Sequence, residues 1–168
     1  MAGVLAVGGT AGWVFATLPD VAALAETRPD TTAFMRRYLE RQAANPDLPP
    51  LRHGWVPASD ISIHMSRAVV SAEDMEFFQH QGFSASEMRA ALREALSGGR
   101  VRGASTITQQ LAKNLWLSPS RNPLRKVKEA LLTRRLEEQL TKRRILEIYV
   151  NVVELGPGIY GVEAAARH

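Results

Sequence analysis

Apolar residues recur at helical spacing along most of this chain, interrupted by short clusters of turn-forming residues. The stretch from about Thr31 to Ala44 places Phe34, Tyr38 and Leu39 along a short amphipathic helix that stops before Asn45-Pro46. From Leu48 to Pro57 the chain reads as extended loop with room for a short strand, because proline disfavours helix in itself and in the residue before it. A helix from about Asp60 carries Ile61, Met65, Ala68 and Val69 on one face and delivers the chain to Glu73-Asp74. Ser84-Ala85-Ser86-Glu87 has the form of a capping box, opening a helix that stops at Gly98-Gly99. A further helix begins after Ser105 and runs to about Trp116. Asn122 caps a longer one, with Pro123 in its first turn and Leu124, Val127, Leu131, Leu132, Leu136 and Leu140 at helical spacing. Thr141 caps another through Ile145, Leu146 and Tyr149, and Gly156-Pro157-Gly158 breaks the chain before a last helical run from Gly161 to His168. The pattern holds no repeat or heptad run, so the expected fold class is mainly α.

The opening run differs from the rest. Residues Met1 to Leu18 carry no charged side chain, and as a helix they would extend about 27 Å, close to the thickness of a bilayer core. A basic n-region and a small-residue cleavage site are both missing, so the run reads as a membrane anchor rather than a cleaved signal peptide. The expected layout is an anchor over 1–18, a connector over 19–50 and one domain over 51–168. At 168 residues, with 45% hydrophobic and 23% charged residues, the composition is that of a globular domain with space for one core. The absence of cysteine excludes disulfides, thiolate metal sites and cysteine nucleophiles. Charge is concentrated: residues 121–144 hold nine basic side chains against three acidic ones, a balance suited to phosphates of a nucleic acid, a lipid head group or a pyrophosphate.

Three stretches carry candidate chemistry. In Glu73-Asp74-Met75-Glu76-Phe77-Phe78-Gln79-His80-Gln81-Gly82, helical spacing would bring Glu73, Phe77 and His80 onto one face. A carboxylate beside aromatic rings in a poorly solvated cleft would make a better base, although acids at helix ends are commonly just solvated. In Arg102-Gly103-Ala104-Ser105-Thr106-Ile107-Thr108-Gln109-Gln110-Leu111-Ala112-Lys113-Asn114, the residues Thr106, Gln109, Gln110, Lys113 and Asn114 form one polar helical face, either a solvated surface or a wall lining a substrate. In Arg121-Asn122-Pro123-Leu124-Arg125-Lys126-Val127-Lys128-Glu129, the acid can pair with Arg125 or Lys126 while the cations face a phosphate, and an ordinary surface ion-pair helix explains the spacing equally well.

Taken in order, these stretches resemble the motifs of the peptidoglycan glycosyltransferases, glycosyltransferase family 51. Glu-Asp-x-x-Phe-x-x-His-x-Gly is complete from Glu73 to Gly82, Gly-x-Ser-Thr-Ile-Thr-Gln-Gln from Gly103 to Gln110, Arg-Lys-x-x-Glu from Arg125 to Glu129, and Lys-x-x-Ile-Leu-Glu-x-Tyr-x-Asn from Lys142 to Asn151. The short chain and single anchor look like the monofunctional biosynthetic members rather than the bifunctional penicillin-binding proteins. The resemblance implies a lysozyme-like, mostly helical, two-lobed domain on the periplasmic face of the inner membrane. It implies polymerisation of lipid II into β-1,4-linked glycan with inversion and release of undecaprenyl pyrophosphate. Glu73 takes the family's general-base position and Glu129 that of the second carboxylate. Lys113, Arg121, Arg125 and the adjacent Lys126 fall at or beside phosphate-contacting positions. Asp74, Phe77, His80, Gly103, Ser105, Thr106, Gln109, Gln110 and Asn114 fall on the substrate side of the cleft. Glu147, Tyr149 and Asn151 of the fourth motif are expected to be structural. No organic cofactor and no protein metal ligand are implied, while a divalent cation, Mg2+ or Mn2+, accompanies the pyrophosphate in many relatives. The implied partners are lipid II, the growing glycan strand, the membrane and other cell-wall synthesis proteins, with no nucleic acid.

The family pattern continues beyond His168 with a fifth motif and further helices, so a chain incomplete at its C-terminus is expected. Three alternatives stay open. A lysozyme-like hydrolase or lytic enzyme would share the fold and a catalytic glutamate, but it must protonate a sugar leaving group. A basic helical nucleic-acid binder would account for 121–144 but not for the apolar start or the polar face after Ser105. A catalytically silent membrane scaffold would fit an incomplete domain.

Overall fold

The computed structural model describes residues 18–97, 105–119 and 122–168. Its helices are α1 (Ala33–Ala44), α2 (Ile63–Glu73), α3 (Ala85–Leu96), α4 (Ile107–Trp116), α5 (Pro123–Gln139), α6 (Lys142–Val152) and the short α7 (Val162–Ala166), preceded by a 3-10 turn over Ala22–Ala25. The caps expected at Asn122 and Thr141 are present, and Thr32 supplies a further one. Thr32 accepts from the Met35 amide at 3.1 Å, Asn122 from Leu124 at 2.9 Å and Thr141 from Arg144 at 3.2 Å, each satisfying an N–H that the first helical turn leaves unpaired. The Ser62 hydroxyl does the same for His64 at the start of α2. Of the box expected at Ser84–Glu87, the Glu87 side chain lies outside the described residues, as do Gly98, Gly99 and the anchor residues 1–17. Among the described residues no helix is long and apolar enough to cross a membrane.

Helix α4 lies at the centre, packed against α5, α6 and α1. It contributes Ile107, Leu111, Ala112 and Leu115 to a core that also takes Leu132 and Leu136 from α5, Ile145, Ile148 and Val150 from α6, and Met35 and Tyr38 from α1. Fully burying an aliphatic side chain of this size contributes about 1.5–3 kcal/mol, so this four-helix contact dominates the packing. Beside it stands a small sheet that the sequence pattern did not fully predict. Strands β1 (Arg52–His53), β3 (Ile159–Tyr160) and β2 (Glu154–Gly156) lie in that order, β1 parallel to β3 and β2 antiparallel to it. The Gly156-Pro157-Gly158 break is the turn of the β2–β3 hairpin.

Three features add to the pattern read from the sequence. Within residues 19–50, Val21, Leu24, Met35 and Tyr38 are core residues. The guanidinium of Arg144 donates to the carbonyls of Leu24 at 2.8 Å and Thr27 at 2.6 Å, pairs with Glu147 at 2.8 Å and lies over the Trp55 ring, tying that segment to α6. Second, α2 does not bury Met65 or Ala68. It has no buried residue, and only Val69 and Val70 of its length, with Ile61 ahead of it, reach the core at partial burial. Third, the basic stretch is not a free cationic strip, since Arg125, Lys126, Arg134, Lys142 and Arg144 are all in ion pairs with acids of the same two helices.

Candidate active site

Glu73 is the last residue of α2, and the chain leaves helical geometry at Asp74, so Glu73, Phe77 and His80 do not share a helical face. Beyond Glu73 the chain makes a tight turn that buries Asp74 and Phe77 and leaves Met75 and Phe78 exposed. Phe77 is fully buried, edge-on to Phe78 at a centroid distance of 5.0 Å, with the Lys142 ammonium 4.4 Å from its ring centre. It is a core residue rather than part of a cleft wall. Asp74 is 5% exposed, and its carboxylate accepts from His80 Nε2 at 2.9 Å and from the Ile107 backbone N–H at 3.0 Å. His80 Nδ1 accepts from the Gly82 amide at 3.0 Å, which leaves the ring proton on Nε2 for Asp74. Gly82 completes the turn with φ of 84°, and a Cβ there would sit 2.7 Å from Thr133 Cγ2, so both the backbone angle and the close approach to α5 require glycine. Asp74, Phe77, His80 and Gly82 thus form a scaffold that docks the end of α2 onto the start of α4. Expected to touch substrate, Asp74 and Phe77 are instead buried and fully engaged with protein.

Glu73 itself is exposed rather than set in a poorly solvated cleft. One carboxylate oxygen, Oε2, accepts from Gln110 Nε2 at 2.9 Å. Gln110 lies on α4, where the expected polar face proves to be mostly interior: Thr106 is 3%, Gln109 9% and Asn114 5% exposed. Thr106 and Gln109 form a reciprocal capping box, the Gln109 amide donating to Thr106 Oγ1 at 3.2 Å and the Thr106 amide to Gln109 Oε1 at 3.0 Å. The Thr106 hydroxyl also donates to the Gly82 carbonyl at 2.7 Å, and Asn114 Nδ2 donates to the Gln110 carbonyl at 2.9 Å. Neither the solvated surface nor the wholly substrate-lining wall describes this face, because polar side chains that bond locally are stable inside a core. Among the polar residues of this stretch, Ser105, Gln110 and Lys113 are half-buried.

The third stretch begins α5. Glu129 is 3% exposed and its carboxylate is shared by Arg125 Nη1 at 2.9 Å and the Lys126 ammonium, so this is not a surface ion-pair helix. Arg125 Nε is buried with no hydrogen-bond partner among the described residues. Gly103 and Arg121, the remaining expected site residues, lie outside the described residues.

Sequence reasoning left Tyr149 out of the site. It is 2% exposed on α6, and its hydroxyl donates to Gln110 Oε1 at 2.9 Å. Burial, reinforced by the nearby Glu73 charge, pushes the phenol upward from its ordinary range, so it remains a donor. A buried tyrosine needs a partner for its hydroxyl, and that was the available signal, but periodicity does not say which partner. Glu147 and Asn151 are structural as expected: Glu147 accepts from the Ala58 amide at 3.0 Å, while Asn151 accepts from the Val56 amide at 2.7 Å and donates to its carbonyl at 2.8 Å.

The family described as Transglycosylase matches residues 42–168. The chain belongs to the transglycosylase family. Among similar proteins, the biosynthetic peptidoglycan transglycosylase of Azoarcus sp. (strain BH72) is 53% identical over 157 residues, which cover 92% of this chain and 66% of the relative. The protein of the same description from Aromatoleum aromaticum is 55% identical over 141 residues, 83% of this chain and 61% of that one. A third, from Methylobacillus flagellatus, is 50% identical over 145 residues, 85% of this chain and 63% of the relative. The chain therefore spans a little under two thirds of the length of these relatives. In this transglycosylase chain, no group of three or more acidic or histidine side chains among the described residues could hold a metal ion. Both oxygens of Glu129 are already engaged by cations, so among the described residues no donor set fits a divalent ion.

Proposed function

We propose that this chain carries the catalytic front of a peptidoglycan glycosyltransferase that polymerises lipid II. Glu73 takes the proton from the acceptor 4-hydroxyl as its oxygen attacks the anomeric carbon of the lipid-linked donor. The bond from that carbon to the phosphate oxygen breaks, the configuration inverts, and undecaprenyl pyrophosphate leaves. A leaving group that is already an anion needs cations rather than a protonated acid, which is the work of Lys113, Arg125 and Lys126, with Arg121 added by the family pattern. Glu129 orients Arg125 and Lys126. A divalent ion, where one takes part, is carried by the substrate's phosphates and their waters, in keeping with how Mg2+ is commonly bound, and no step of the reaction depends on it.

The observation carrying this reading is that Gln110, which holds Glu73, and Lys113 are one helical turn apart on α4, about 5–6 Å between Cβ atoms. On this reading the base works on one side of the anomeric carbon and Lys113 meets the leaving phosphate on the other. A hydrolase would need a second, protonated carboxyl near Glu73. Its sequence neighbour Asp74 is buried and bound to His80 and Ile107. We place the protein in the inner membrane by its apolar start, with the site on the periplasmic side. The test is incubation with lipid II: polymer and free lipid pyrophosphate are expected, and Lys113→Ala should slow turnover by about a hundredfold to a thousandfold, as for loss of one group that stabilises developing charge. Strand cleavage in place of polymer would replace this reading with a hydrolase, and neither product would leave a silent scaffold.

A further inference from the structure

We infer that Tyr149 is a positioning residue for Glu73, acting through the side-chain amide of Gln110. Glu73 stands at the end of a surface helix with no buried residue, and an exposed glutamate there has many rotamers to choose from. Its carboxylate is tied to the core by the hydrogen bond from Gln110 Nε2, which reaches across 37 positions of sequence. The Gln110 amide can face either way round, and its two ends are chemically different. In the observed sense its nitrogen donates to Glu73 at 2.9 Å and to the Ser105 carbonyl at 3.3 Å, while its oxygen accepts from Tyr149 at 2.9 Å. Reversed, the amide oxygen would face a carboxylate and a carbonyl, and the tyrosine would lose its acceptor.

Tyr149 belongs to α6, whose residues Ile148, Val150 and Val152 are fully buried, so its ring is fixed by the core. The phenol, kept neutral by burial, supplies a constant donor. The relay Tyr149–Gln110–Glu73 thus carries the rigidity of the core to an exposed carboxylate. It pins Oε2 and leaves Oε1, which has no hydrogen bond among the described residues, to receive the acceptor's proton. Fixing a reacting group within a fraction of an ångström is what a supporting residue contributes to rate.

This inference rests on the reading of Glu73 as the base, and its test separates the two. Tyr149→Phe, Gln110→Ala and their combination would be made in the 168-residue chain. They would be compared by kcat and KM for lipid II polymerisation and by the 13C resonance of the Glu73 carboxyl carbon at neutral pH, assigned by its disappearance in Glu73→Gln. Tyr149→Phe is expected to lower kcat about tenfold with KM unchanged, the loss of one hydrogen bond, and to move the Glu73 resonance. With Gln110→Ala already present, the same substitution should change neither. The inference is overturned if Tyr149→Phe leaves the resonance in place, even where it lowers the melting temperature, or if its effects persist undiminished in the Gln110→Ala background. Normal turnover by Glu73→Gln would remove the base reading alone, and the resonance would still decide the relay.

Discussion

Helices α2 and α4 hold the two partners of the contact between Glu73 and Gln110, and they are packed in opposite ways. Helix α4 is ten residues long with seven of them buried, while α2 is eleven residues long with none. Apolar side chains on and just beyond α2 stay largely in solvent: Ile63 is 59%, Met65 40% and Phe78 58% exposed. The buried helix offers amide and ammonium groups from a fixed frame, and the surface helix offers the carboxylate. On the proposed mechanism, an acid and its holder separated in this way divide stability from chemistry: changes in α2 would reach the reaction with little effect on folding, and changes in α4 would reach both.

That division is most sharply tested at its centre. Replacing Glu73 with Gln should cut polymerisation by about a hundredfold to ten-thousandfold, as for loss of a general base, with far-UV circular dichroism and melting temperature unchanged. Normal turnover would break the assignment of chemistry to α2. Leu111→Ala on α4 should cost about 2–5 kcal/mol in denaturant unfolding, because it opens a cavity at a fully buried site. A loss under about 1 kcal/mol there would mean that α4 is not the packed frame. Asp74→Ala sits at the joint between the helices, and it strands the Ile107 amide and His80 at a buried position. It should cost about 1–3 kcal/mol in thermal unfolding while lowering activity further by releasing the end of α2. Activity falling only in proportion to folded protein would refute the second part. Met65→Ala, on the exposed side of α2, should change stability by less than about 0.5 kcal/mol. A larger change would show that the α2 surface is covered in solution.

Local features were legible in the sequence because their causes are local. Asn122 and Thr141 cap the helices they precede in the chain, and the break at Gly156–Gly158 falls where the hairpin turns. What escaped depends on partners distant in sequence. The polar face after Ser105 has the same period whether water or protein covers it, and it is the tertiary bond of Thr106 to the Gly82 carbonyl, 24 residues back, that marks it as interior. The shared face of Glu73, Phe77 and His80 assumed a helix that continues, whereas Asp74 turns aside to meet Ile107, 33 residues on. The motif singles out Glu73, but its surroundings were not legible, since the Tyr149 to Gln110 bond joins residues 39 apart.

Arg144 fixes the two carbonyls at Leu24 and Thr27 to α6, and Val21 sits in the core just ahead of them. In hydrodynamic terms, the segment Val21 to Thr27 is expected to tumble with the body and not with a correlation time of its own. A fluorophore attached at Asp20 would depolarise at the rate of the whole body, and Arg144→Ala would give it a second, faster component.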